Sequence, residues 1–453
     1  MASGRSAMAG AAAPAEYAAP KALAFLSIAC TFCAGLGEWK KVNDAFGALP
    51  KAASLGVIGC AVLWFLLNPD FREVKRALSY LFVFSLLLFV PFFASMNTWL
   101  IELYNFGSIS RSFEKLLFQF VSALYAVGMV YLFGFKAIDY FFYAVVLANL
   151  TIVGLEIPRY GVAESLQSVI EGIRTYGEAE GFMRSLELHD LTFLFGQFLI
   201  FYLMFAPRKT EEERKKRRLH VLICLGLILL GFKRLIFQAI GLGVAFVWVT
   251  RRLKSYRGWF FFLGAVIVFC CFLYVYLIYS GWLVAFARAW GVNMMGRDEF
   301  WTYASDYYEF SFFWRGLGFE AVDTLVHQWA ASGLINHPYP LHNDYLKVYM
   351  ELGTFGLFFW AGIQYVYYPQ YWLREHSGEC ALLYFSVLAY MSVTYLTDNT
   401  AFYFWSSIGL RLLPMAYSYT RIVKEDQGTW RPPSAREIAD MMRGLEMEEQ
   451  PND

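Results

Sequence analysis

Residues 341–356 read LHNDYLKVYMELGTFG and gather His342, Asn343, Asp344 and Glu351 directly ahead of a long apolar run. A neutral imidazole near pH 7 accepts a proton readily, so His342 has the chemistry of a general base for an attacking hydroxyl. The same ring could equally do no more than satisfy loop backbone groups. Asp344 and Glu351 are the alternative proton acceptors, or else serve as a helix cap and as a partner for Lys347. His337 stands five residues before His342 with Pro338 and Pro340 between them, which excludes a shared helical face. With no third ligand at a recognisable spacing, no metal site is expected.

Arginines supply a second chemistry. Arg184, Arg234 and Arg297 all fall at ends of apolar runs or in the connections between them. A lone arginine at a lipid–water boundary snorkels, but several converging on one cavity make a planar, bidentate clamp for a phosphate or diphosphate. The stretches GRDEFW (296–301), SDYYEFSFFWRGLGFE (305–320) and NHPYPLHNDYLKVYMELG (336–353) surround them with aromatic residues. Such residues suit a partly wet cavity that stacks on sugar rings or covers lipid headgroups, although an interfacial belt of Trp and Tyr accounts for part of them. A clamp and a hydroxyl-activating base together suit a lipid-linked sugar whose diphosphate lies at the membrane surface.

The elements that must position these groups are membrane helices. With 58% hydrophobic and 17% charged residues the chain is far more apolar than an ordinary globular domain, and its net charge of +1 offers nothing to nucleic acid. Backbone amides in lipid must be satisfied internally, so long apolar runs predict helices. An all-α polytopic fold is expected, with about twelve spans near 22–37, 52–67, 78–96, 116–134, 137–155, 191–206, 219–232, 235–250, 259–281, 352–372, 380–396 and 401–419. Gly231-Phe232-Lys233-Arg234 breaks what would otherwise be one long run, because two adjacent cations midway along a lipid-facing helix are costly.

Charge orients the spans. The stretches 68–76, 207–220 and 250–258 are rich in Lys and Arg and belong inside by the positive-inside rule, with both termini cytoplasmic. The opposite face receives two long acidic loops, 156–190 and 282–351, the second between spans nine and ten. Val162, Leu166, Val169, Ile170 and Ile173 predict an amphipathic helix lying at the interface, either a plain cover or a lid. Past Pro340 a helix should start with Asn343 or Asp344 as its cap, and Gly353 and Gly356 should allow close packing where it enters the membrane. Residues 1–20 and 425–453 read as tails around a membrane domain at 21–424, the first span serving as an uncleaved anchor. The seven cysteines lie in or beside apolar runs and read as small buried hydrophobes.

The stretch His342-Asn343-x-x-Leu346-x6-Gly353-x-x-Gly356, after a large external loop, resembles the O-antigen ligase and polymerase superfamily of bacterial envelope glycosyltransferases. Gly296-Arg297 with Trp301 resembles that family's Gly-Arg…Trp element, and Arg315-Gly316-Leu317-Gly318 its Gly-x-Gly segment. Arg234 occupies the place of an arginine that opens a span, although Lys233 stands where the family has Ser. After Arg184 the sequence reads Glu187-Leu188-His189-Asp190 in place of an Asn-containing stretch. The likeness covers about 180–415. It implies a transferase of the inner membrane, independent of metals and cofactors, that passes a glycan from undecaprenyl diphosphate to a hydroxyl of a glycan or lipid A-core acceptor at the periplasmic face. His342 would be its base, or else would orient the hydroxyl. Arg234, Arg297 and Arg184 would bind the diphosphate, with Asn343, Asp344, Glu351, Arg315 and His337 in support. A polymerase joining repeat units on the same carrier is the alternative within the family. A flippase for lipid-linked sugar is the alternative of another class, with Arg411 the main charge placed midspan.

Overall fold

The computed structural model describes residues 19–426 except 102–105, 176–180, 187, 232, 254, 293, 295, 336 and 339. Nearly all of both expected tails therefore lies outside the described residues. Every described element is helical, and no strand occurs among the described residues. Each of the twelve apolar runs falls on a helix. They are carried by Lys21–Leu36, Leu55–Leu67, Phe71–Ile101, Phe106–Phe133, Ala137–Tyr160, His189–Met204, Glu211–Leu230, Arg234–Thr250, Tyr256–Tyr279, Asp344–Gly362 with its π-helical extension Ile363–Tyr367, Gly378–Thr397 and Phe404–Asp426.

Length and composition taken alone support fewer crossings. Five described helical segments are long and apolar enough to span a membrane, or six if Lys21–Leu36 and Lys40–Phe46, bent by 97°, count as one. The shortfall has physical causes. Glu211–Leu230 opens in the charged stretch EEERKKRR under a capping box, in which the Thr210 hydroxyl accepts from the Glu213 amide at 3.1 Å and the Glu213 carboxylate from the Thr210 amide at 3.0 Å. Its apolar part is thereby shortened. His189–Met204 is short but almost wholly buried, so its neighbours rather than lipid receive its surface.

Side-chain contacts join connections that the charge pattern assigns to one face. Lys115 meets Asp323 at 2.8 Å and Lys41 pairs with Glu156, all in stretches expected outside. Lys216 meets Asp139 at 2.7 Å, Arg251 meets Glu379 at 2.7 Å and the Tyr419 hydroxyl donates to Glu73 at 2.7 Å, all in stretches expected inside. The expected amphipathic stretch forms Val162–Thr175, with Val162, Leu166 and Ile170 facing outward, as a helix lying on an apolar surface requires. Cys60, Cys224, Cys271 and Cys380 are buried as expected, but Cys33 and Cys270 face outward, since outward-facing positions on these apolar helices can meet lipid rather than neighbouring helices.

Candidate active site

Asp344–Gly362 opens with Asn343 as its cap. The Asn343 side-chain oxygen accepts from the Leu346 amide at 3.0 Å, and its amide nitrogen donates to the Tyr274 hydroxyl at 3.2 Å, tying the helix start to Tyr256–Tyr279. His342, one residue earlier, has φ of 51°. A non-glycine residue in that left-handed region is strained, and such strain persists where the surroundings impose it, commonly at functional sites.

That backbone turn brings His342 Nδ1 to 3.6 Å from Asp398 Oδ1. Asp398 follows Gly378–Thr397 and is held from two further directions, by the Asn399 amide at 2.9 Å and the Tyr403 hydroxyl at 3.2 Å. Burial alone would raise the Asp398 carboxyl, but the His342 ring, the Lys233 charge and the Asn399 amide outweigh it and pull the carboxyl down to about 2. The carboxylate is thus ionised at any physiological pH. With Nδ1 turned toward it, Nε2 of a neutral His342 is left to accept a proton, the division of labour of a histidine oriented by a carboxylate. The His342 side chain is 33% exposed, so a ligand can reach it.

Gly296, with φ of 79°, makes the turn that starts Arg297–Ala304 and swings Arg297 inward. The Arg297 charge acts on the Tyr274 hydroxyl that also meets Asn343, and its Nε is buried without a hydrogen bond among the described residues. A buried guanidinium nitrogen with nothing to donate to is poised for an anion. Lys233 caps Arg234–Thr250 and lies close enough to stabilise the Asp398 carboxylate. Arg234 opens that helix, so its backbone starts at the same end; its side chain lies outside the described set.

The remaining expected residues lie elsewhere. Asp344 is buried and its Oδ2 accepts from the Ala401 amide at 2.8 Å, bracing the turn that carries Asp398. Glu351 is buried too, its Oε1 accepting from the Val322 amide at 3.2 Å and standing 3.8 Å from Lys347 Nζ. Arg315 is exposed on a lateral apolar groove beside Phe355 and Phe359. Arg184 lies exposed on Gly181–Ser185, which packs on Ala137–Tyr160 and Val162–Thr175. His337 is exposed in the loop ahead of His342.

The glycines have a structural purpose. Gly353 has φ of 73° and breaks the helical path, and a Cβ there or at Gly316 would run into the other segment's backbone. Leu317 and Gly318 amides donate to the Met350 and Glu351 carbonyls, both at 2.8 Å, and the Thr354 amide donates to the Trp314 carbonyl at 3.0 Å. The Arg-Gly-Leu-Gly segment therefore seats directly on the kink. At Gly356 a Cβ would run into the Leu352 side chain one turn back on the same helix and would meet Ala94 of Phe71–Ile101 only at ordinary contact distance, so the expected close helix approach is not what requires this glycine.

Asp398, Lys233, Tyr274 and Tyr403 complete the group without having been selected from sequence. Their one signal was position. Thr397-Asp398-Asn399 is a polar break between two apolar runs, and it opens on the face that also holds His342.

At one end of this helical bundle His342 and Asp398 thus face each other at 3.6 Å, with Arg297 Nε buried near Tyr274 and Asn343. Residues 219–361 match the family model described as O-antigen ligase, and over that stretch the chain carries a domain of the O-antigen ligase and polymerase superfamily. No curated protein matches the chain. The matched stretch holds His342, Asn343, Arg234 and Arg297, whereas Asp398, Tyr403 and Arg184 lie outside it.

Proposed function

We propose that the protein is a membrane glycosyltransferase of the O-antigen ligase type. It transfers a glycan from undecaprenyl diphosphate to an acceptor hydroxyl at the periplasmic face of the inner membrane. Its bundle crosses the membrane twelve times, with both termini in the cytoplasm. The observation that carries this reading is the His342–Asp398 pair beside Arg297, within and against the matched domain.

In the reaction the acceptor hydroxyl gives its proton to His342 Nε2 as its oxygen bonds to the anomeric carbon of the donor. The bond from that carbon to the diphosphate breaks, and its electron pair leaves on the lipid diphosphate. Arg297 and Arg234 stabilise the charge gathering there. Asp398 holds the imidazole ring and favours the cation that forms on it. No step calls for a metal.

Purified protein supplied with a lipid-linked donor and an acceptor should form a new glycosidic bond; movement of the donor across a bilayer with no bond formed would assign it to transport instead. Ligase and polymerase separate in a deletion strain. Polymer retained on the carrier lipid marks a lost ligase, and single-repeat products mark a lost polymerase.

A further inference from the structure

Four segments meet beside the His342 group and line a half-open cavity of about 380 Å3, within the size range of small-ligand sites. Glu38 and Lys51 come from the segment after Lys21–Leu36, Lys115 and Phe118 from the first half of Phe106–Phe133, Asp190 from the start of His189–Met204, and Tyr403 from the turn before Phe404–Asp426. Tyr403 is the shared wall. Its side chain lines the cavity, and its hydroxyl donates to the same Asp398 oxygen that His342 approaches.

The charge balance decides what fits. Lys51 meets Glu38 at 3.2 Å, and Lys115 is held by Glu320 at 2.5 Å and Asp323 at 2.8 Å. Both oxygens of Asp190 accept from the start of Phe404–Asp426, from the Trp405 amide at 2.7 Å and the Ser406 amide at 2.8 Å. Each cation is thus already matched by an acid, and a diphosphate entering here would meet Glu38 and Asp190 with no surplus positive charge to hold it. A ligand that carries hydroxyls but no charge would find both charged donors and acceptors and the rings of Phe118, Phe402 and Phe404 in the lining.

We infer that this cavity binds a sugar ring of the acceptor glycan and presents its hydroxyl to His342 past Tyr403, an inference that rests on the glycosyl transfer proposed above. Diphosphate and acceptor then approach His342 from different sides, the first by Arg297 and Tyr274, the second by Tyr403. The cavity residues all lie outside 219–361, so acceptor choice resides in parts of the chain beyond the matched domain.

The test uses the full-length protein in detergent with two probes, core oligosaccharide released from the host lipopolysaccharide and repeat-unit oligosaccharide released from the carrier lipid. Binding is titrated on the His342→Ala variant, where no turnover interferes, and then on that variant with Lys51→Met or Phe118→Ala added. One probe should bind, and each added change should weaken it by roughly tenfold, the effect of losing one good ligand contact. Core binding indicates a ligase acceptor, and repeat-unit binding a polymerase acceptor. In the otherwise unchanged protein the same two substitutions should raise the half-saturating acceptor concentration and leave that of the donor within twofold. Failure of both probes to bind, or a change in donor rather than acceptor saturation, would overturn the inference. Phe118→Leu, which keeps apolar volume without the ring, should lose binding as Phe118→Ala does while unfolding at the parent temperature; retained binding there also counts against it. Binding that persists in a protein without transfer activity would refute the proposed reaction and leave the sugar site standing.

Discussion

Two basic side chains sit at the start of one helix and are built oppositely. Lys347, on the first turns of Asp344–Gly362, is 5% exposed and enclosed by Asp323 at 3.0 Å, Glu320 at 3.2 Å and Glu351 at 3.8 Å, with Lys115 closing the far side. Lys347 and Lys115 hold Asp323 well below the usual carboxylate range although burial opposes them. His342, two residues before the helix, keeps one carboxylate at 3.6 Å, a strained backbone and an open side. A charge closed off by opposite charges on all sides can hold a fold, whereas a basic side chain suited to chemistry must keep a side open for a ligand.

Substitutions should separate the two groups. His342→Ala should lower transfer by about a thousandfold, within the range of a lost general base, and leave membrane insertion and unfolding temperature near those of the parent. Near-normal product from that variant would remove His342 from the base role. Lys347→Met should do the reverse, costing about 3–5 kcal/mol of stability because it strands buried carboxylates, read as lost expression or a lowered midpoint in a thermal melt in detergent. Ordinary expression and melting would mean the cluster does not hold the fold.

Smaller effects grade the open site. Arg297→Lys should lower transfer by at least about tenfold if a bidentate grip is used, since an ammonium cannot reproduce the fork. Unchanged turnover would reduce Arg297 to a simple charge. Asp398→Asn should slow transfer less than His342→Ala, and it carries a pH signature of its own. The depressed carboxyl contributes stability that is present above its ordinary value of 3.8 and lost as pH falls through about 2. The melting gap between parent and variant, on the order of 2 kcal/mol at neutral pH, should therefore close across that acid window. A gap independent of pH would show that Asp398 acts through packing alone.

Much of this was legible in the chain. The twelve apolar runs lie on helices because a backbone in lipid has no other way to satisfy its amides. Asn343 reads as a cap from its place after Pro340 and before an apolar run, and it caps. Gly353 was legible as a site of close approach, but its neighbour was not. The expected partner was another helix, whereas the contact is the backbone of Trp314 and Arg315. Asp344 and Glu351, equal in type to Asp398, point into the packed interior, and only the tertiary structure tells these carboxylates apart.

The sequence by itself determined the apolar, membrane-type composition, the helices and the cap ahead of the histidine's helix, because hydropathy and capping act over a few residues or a single span. Only the tertiary structure decided that Asp398 comes to 3.6 Å from His342, that Tyr403 touches both Asp398 and a polar cavity, and that Lys347 is closed off while the His342 side chain is a third exposed. Those relations depend on how helices far apart in the chain lean together at one end of the bundle, and a pattern of local spacing carries no record of that.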